Sequence, residues 1–129
     1  MSSSFAELGV PAALCARLDE LGIAEPFPVQ AATLPDALAG RDVCGKAPTG
    51  SGKTIAFGLP LLARVQSAKS RRPSAMVLVP TRELASQVEE QLEELSAGTK
   101  TRVLAIYGGA GMQRQMQSLQ RGVEVIVAT

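Results

Sequence analysis

Apolar positions in this chain keep a helical spacing as far as Gly40 and then change rhythm. Leu14, Leu18 and Leu21 follow Pro11, a residue suited to a first helical turn, and Gly22 supplies a stop, which predicts a short amphipathic helix. The prolines of Glu25-Pro-Phe-Pro-Val-Gln30 favour an extended turn, and an Ala/Leu-rich helical stretch then runs to Gly40. From Arg41 onward four short runs read as strands: Asp42 to Lys46, Ala75 to Val79, Val103 to Tyr107 and Val123 to Ala128. Helical segments separate them. The clearest is Arg82 to Leu95, where Leu84, Val88, Leu92 and Leu95 form one stripe, while Glu89, Glu90, Glu93 and Glu94 fall mostly off it as a solvated face.

Strands that alternate with helices and read as nearly continuous apolar runs predict an α/β fold, a parallel sheet with helices on both faces. Ligands of such sheets bind outside the carboxyl ends of the strands, which fall here at Ala47, Pro80, Gly108 and Thr129. The chain divides at the change of rhythm into a helical region, 1–40, and a sheet-forming region, 41–129. Ser67 to Ser74, with Lys69, Arg71 and Arg72, reads as a basic surface loop. The last apolar run ends on Thr129 without a covering helix, so a longer parent protein is expected.

With 129 residues and 46% hydrophobic content, the chain can bury the core of one ordinary domain. A formal net charge of +1 gives no overall footprint for nucleic acid, so any such partner rests on local residues. There is no histidine, and Cys15 and Cys44 lie far apart without a C-x-x-C pattern, which excludes a zinc site and a Ser-His triad. The longest apolar stretch, Ile55 to Ala63, is too short to span a membrane and contains Pro60. A soluble, reduced, cytoplasmic protein without a disulfide is expected.

Ala47-Pro-Thr-Gly-Ser-Gly-Lys-Thr54 follows a strand run and opens a helix, with the Gly-Lys-Thr of a phosphate-binding loop and Ala47 where the strict pattern has Gly. Gly50 and Gly52 let the backbone curl into an anion nest, and the helix adds its positive end. Lys53 carries a full charge to the β and γ phosphates. Thr54 offers a hydroxyl to Mg²⁺, a hard ion that accepts few protein ligands. A solvated Gly/Ser turn is the plain alternative, and it does not account for strand, turn, Gly-Lys-Thr and helix in that order.

Around this loop the chain resembles the DEAD-box RNA helicases. Their motif I reads A-x-T-G-S-G-K-T, which Ala47, Pro48, Thr49, Gly50, Ser51, Gly52, Lys53 and Thr54 match throughout. Gly22 to Gln30 resembles their Q motif, Phe5 stands at its upstream aromatic, Pro80 to Ala85 reproduces motif Ia, Gly108-Gly109 resembles the GG motif, and Ala128-Thr129 would begin motif Ib. The resemblance implies a Q-motif helical extension over 1–40 and part of a RecA-like ATP-binding domain over 41–129. It further implies ATP or ADP and Mg²⁺ as cofactors, Phe5, Ile23, Pro28 and Gln30 at the adenine with Gln30 reading its edge, and Lys53 and Thr54 as catalytic. Pro80, Thr81, Arg82, Gly108, Gly109 and Thr129 are implied to follow an RNA backbone, through a full protein of two domains. Thr81 alone would equally serve as an ordinary helix cap, and Phe5 as a hydrophobic staple under Leu8. Two positions depart from the family. Ile23 stands where an aromatic is usual, and Phe27 where Thr or Ser helps tie the Q motif together.

No Asp occurs after Asp42, and none of Glu83, the Glu89 to Glu94 cluster or Glu124 stands at the exit of an apolar run. The carboxylates that hold Mg²⁺ and orient water in P-loop enzymes are therefore missing, and this chain alone is expected not to turn over ATP. Two other readings remain: a different P-loop enzyme, and a non-catalytic nucleotide-binding module. A GTPase would need an Asn-Lys-x-Asp, which the sequence lacks.

Overall fold

The computed structural model describes residues 3–109 and 111–129. They form two compact units, 1–64 and 65–129.

The first unit holds three helices, α1 (Ala12–Glu20), α2 (Pro28–Leu38) and α3 (Lys53–Arg64). Both α1 and α2 close in the same manner. Gly22 N–H bonds Asp19 O at 3.0 Å and Ile23 N–H bonds Leu18 O at 2.9 Å, and Gly40 and Arg41 repeat the arrangement on Ala37 and Asp36. This is the paired closure that a left-handed residue after a helix permits. Leu14, Leu18, Leu34, Leu59 and Leu62 are buried, and Phe5 joins them at 4% exposure. The run Asp42 to Lys46, expected as a strand, is irregular and exposed. A strand exists only through a paired neighbour, and the three strands of the structure pair with one another.

The second unit is a parallel sheet of β1 (Ala75–Leu78), β2 (Val103–Ile106) and β3 (Val125–Ala128), in the order β1-β3-β2, with α4 (Arg82–Ser96) and α5 (Met112–Arg121) as crossovers. The expected parallel α/β arrangement is present. β1 to β2 and β2 to β3 run in opposite directions across the sheet, so right-handed crossovers put α4 and α5 on opposite faces. In register Val77, Val127 and Ala105 stand side by side, and Val125, Val127 and Ala105 are buried. α4 packs against β2 and β3 and buries Ala85, Val88, Leu92 and Leu95.

Two details of α4 differ from the sequence pattern. Its apolar stripe passes through Ala85, which is fully buried, whereas Leu84 is exposed. Nor are all its acids solvated, because Glu89 accepts a hydrogen bond from the outward Ala105 N–H of β2. Glu93 keeps its proton more readily than an ordinary Glu, through burial first and then the charges of Glu89 and Glu90.

Candidate nucleotide site and strand-end surface

In the first unit the irregular backbone after Gly45 turns at Pro48 and enters α3 at Lys53. Ser51 N–H donates to Pro48 O at 3.3 Å, and Gly50 and Gly52 take φ of 80° and 82°. Only glycine adopts that conformation at little cost, and successive N–H groups then turn to one side of the loop. Lys53 Nζ donates to Ala47 O at 2.9 Å, which stretches the ammonium across the mouth of the loop. Thr54 lies in the first turn of α3, half-buried.

Gln30 is the residue that ties this loop to α2. It is 2% exposed, its Oε1 accepts from Phe27 N–H at 2.9 Å, and its Nε2 donates to Gly52 O at 3.0 Å. The first bond satisfies a donor at the start of α2, and the second reaches a segment 22 residues away. A Cβ on Gly52 would run into Gln30 Nε2 and lie 2.9 Å from Phe27 Cδ2, so the loop needs glycine here for space as well as conformation. Phe27 itself makes no side-chain cap and is 53% exposed. It lines a hollow of about 780 Å³ with Pro28, Lys46, Ala47, Pro48 and Gly50, within the size range of small-molecule sites.

The residues expected at the nucleotide site thus separate in a defined way. Pro28, Gln30 and Ala47 to Thr54 come together in the first unit. Phe5 is packed in the core, its carbonyl accepting from Val10 N–H at 3.1 Å, and Ile23 N–H closes α1. Sequence reasoning missed Phe27 and Lys46 as lining residues; the signal for Phe27 was its place directly before a proline at a helix start.

In the second unit, Pro80, Thr81, Arg82, Gly108, Gly109 and Thr129 gather at the carboxyl ends of the three strands, whose last residues Leu78, Ala128 and Ile106 are in register. Thr81 caps α4, its Oγ1 accepting from Leu84 N–H at 3.2 Å. Arg82 leans over the turn after β2, such that a Cβ on Gly109 would lie 2.8 Å from Nη1. Gln115, not singled out from the sequence, donates to Tyr107 O at 3.3 Å and supports the same turn. Thr129 N–H bonds Ile106 O at 3.3 Å.

The sequence profile of DEAD/DEAH box helicases matches residues 27–129. The chain belongs to that family. It is 41% identical over 127 residues to the ATP-dependent RNA helicase CshA of Listeria monocytogenes and 43% identical to the DEAD-box ATP-dependent RNA helicase CshA of Bacillus cereus. Each match covers 98% of this chain and 24% of the relative, so the chain spans about a quarter of their length. Among solved structures, the RNA helicase Prp28 from Chaetomium thermophilum bound to ADP superposes with a TM-score of 0.87 at 40% identity, over 97% of this chain and 31% of that one. A DEAD box protein from Methanococcus jannaschii gives the same TM-score at 30% identity, over 100% and 35%. The RecA-like fold of these neighbours is therefore that of this chain.

Among the described residues, no helix is long and apolar enough to cross a membrane. Cys15 and Cys44 are free thiols, and burial, followed by the charge of Asp19, pushes the Cys15 pKa up.

Proposed function

We propose that this chain is the ATP-binding part of a cytoplasmic ATP-dependent RNA helicase, which couples nucleotide binding and hydrolysis to the remodelling of RNA duplexes. The observation that carries the reading is the loop of Gly50 to Thr54, curled by two left-handed glycines and spanned by Lys53. Such a loop suits a polyphosphate: N–H groups and a helix start face the anion, and a flexible ammonium follows the outer phosphates. Thr54, in the first turn of α3, is proposed to offer its hydroxyl to Mg²⁺, which takes its other oxygens from phosphate and water. The ADP bound to the similar Prp28 supports an adenine nucleotide.

Gln30 is proposed to read the adenine. With one bond formed by each amide end, it retains one N–H and one lone pair, the complementary pair that adenine N6 and N7 require. Ile23, Pro28 and Phe5 are proposed to give apolar contact around the base. The strand-end surface of Pro80, Thr81, Arg82, Gly108, Gly109 and Thr129 is proposed for the RNA backbone, with the start of α4 offering N–H groups to a phosphate.

Hydrolysis by this chain alone is not expected. The loop supplies one cation and one Mg²⁺ ligand, whereas phosphoryl transfer also uses a carboxylate on the metal and a group that orients water. No acid stands at the exits of β1, β2 or β3, which read Val79-Pro80, Tyr107-Gly108 and Thr129.

Calorimetric titration of the chain with Mg-ADP tests the reading. Lys53→Ala is expected to weaken binding by roughly 1.5 to 3 kcal/mol, the value of a charge-assisted contact. Equal affinity of the two proteins would refute the assignment of Lys53.

A further inference from the structure

The amino ends of the three strands carry a feature that neither the nucleotide loop nor the strand-exit surface uses. Lys69, Arg71 and Arg72 precede β1, Lys100 and Arg102 precede β2, and Arg121 precedes β3. Because the strands are parallel, all six cations collect at one end of the sheet, opposite Thr81, Arg82 and Gly109. All six are exposed.

Backbone and side-chain contacts link the three turns. Arg71 N–H donates to Leu119 O at 2.8 Å, and Lys69 and Arg72 form an antiparallel bridge that fixes the tight turn between them. Arg71 takes φ of 60° there, a costly conformation for a side chain of this type. Arg102 Nη1 donates to Arg121 O at 3.4 Å, and a Cβ on Gly122 would sit 3.3 Å from Arg102 Nη2 and 3.4 Å from Ala68 O.

One carboxylate organises the cluster. Glu124 is 4% exposed and accepts from Ala68 N–H at 3.3 Å, Arg102 N–H at 3.0 Å and the Arg102 guanidinium at 3.4 Å. Glu93 of α4 bounds the group on one side, across a hollow that Arg102 also lines. No described carboxylate pairs with Lys69, Arg71, Arg72, Lys100 or Arg121. Five cations without an ion-pair partner among the described residues, on three turns linked by these hydrogen bonds, form a positive edge in a chain of nearly neutral net charge.

We propose that this edge is a second RNA-binding surface, taking the sugar-phosphate backbone about 13 Å along the strands from the first, at ~3.3 Å per residue. The proposal rests on the RNA-helicase reading and adds a contact surface to it. Arginine forks and lysine charges suit phosphate, which they bind without regard to base sequence. A protein partner would draw its affinity from buried apolar anchors, and none of these turns exposes a large apolar side chain.

The test is fluorescence anisotropy of a labelled oligouridylate with this chain over a series of KCl concentrations. Lys69→Gln/Arg72→Gln/Arg121→Gln is expected to reduce affinity at low salt about tenfold or more and to lower the salt slope by about 2, at ~0.7 per phosphate contact on a single strand. Its Mg-ADP affinity should be unchanged. The charge-preserving Lys69→Arg/Arg72→Lys/Arg121→Lys should bind as the parent does. If the neutral triple variant binds RNA with the parental slope while Arg82→Gln loses affinity, the second surface is refuted and the helicase reading stands. If poly-glutamate displaces RNA as well as an RNA of equal charge does, the edge is a site for acidic protein. Mg-ADP binding without any RNA binding would overturn both RNA surfaces together.

Discussion

Gln30 Nε2 and the carbonyl of Gly52 are joined by a 3.0 Å hydrogen bond, made by a side chain that is 2% exposed. The bond connects the start of α2 to the residue before the loop lysine. An amide proposed to recognise the base is therefore also bonded to the loop proposed to hold the phosphates.

The first prediction follows from that double duty. Gln30→Ala should lower the affinity for both ADP and GDP, because the loop loses its anchor, and should also reduce the preference for ADP. Guanine presents acceptors at both edge positions that adenine fills with an acceptor and a donor. Competition titrations measure the two effects separately. An unchanged ADP preference would remove Gln30 from base recognition and leave its anchoring role.

Gly52→Ala should destabilise the fold by about 1 to 2 kcal/mol from the left-handed backbone alone, and more once Gln30 and Phe27 are displaced. Urea denaturation of the chain checks this. A variant as stable as the parent would show that the loop relaxes freely, contrary to the tight approach of Gln30.

Thr81→Ala should cost roughly 0.5 to 2 kcal/mol by removing the cap on Leu84 N–H, and Thr81→Ser should restore most of it. Both are read from denaturation midpoints. Equal losses for the two variants would point to the methyl group instead of the hydroxyl.

Glu124 makes stability depend on acid. Burial raises its pKa, but hydrogen bonds from the Arg102 side chain, the Arg102 and Ala68 N–H groups and the Arg102 charge outweigh that, and the net pKa is lowered. A carboxyl whose folded pKa lies below its unfolded value contributes fully above the unfolded value, near 4.3, and loses that contribution as pH falls through the folded one. The difference in stability between the parent and Glu124→Gln should therefore be largest at neutral pH and shrink below about pH 4. Denaturation at several pH values decides it, a constant difference being the contrary result.

What the sequence made legible, and what it did not, divides by range. Gly50, Gly52, Lys53 and the start of α3 depend on backbone conformation within a few residues, and local pattern suffices for them. The strands Ala75–Leu78, Val103–Ile106 and Val125–Ala128 were marked by β-branched and aliphatic runs. Asp42 to Lys46 was expected as a fourth strand and is irregular, because membership of a sheet is settled by a distant partner. The bond from Gln30 to Gly52 spans 22 residues and leaves no periodic trace. Glu89 and Glu124 carry the same charge as their solvated neighbours, and only the N–H groups of Ala105, Ala68 and Arg102 distinguish them. In α4 the stripe shifted from Leu84 to Ala85, since close packing against the sheet favours a small residue that hydropathy ranks lower.

The carboxylate of Glu89 on the Ala105 N–H has a bearing on how the sheet meets other chains. β2 is a border of the sheet, and a bare border invites a foreign strand to continue the ladder. Here the inviting donor is already occupied by a charged group, and an incoming strand would have to expel it and leave a carboxylate against its own carbonyls. Glu89 thus blocks one outward N–H that a foreign strand would need in order to extend the sheet.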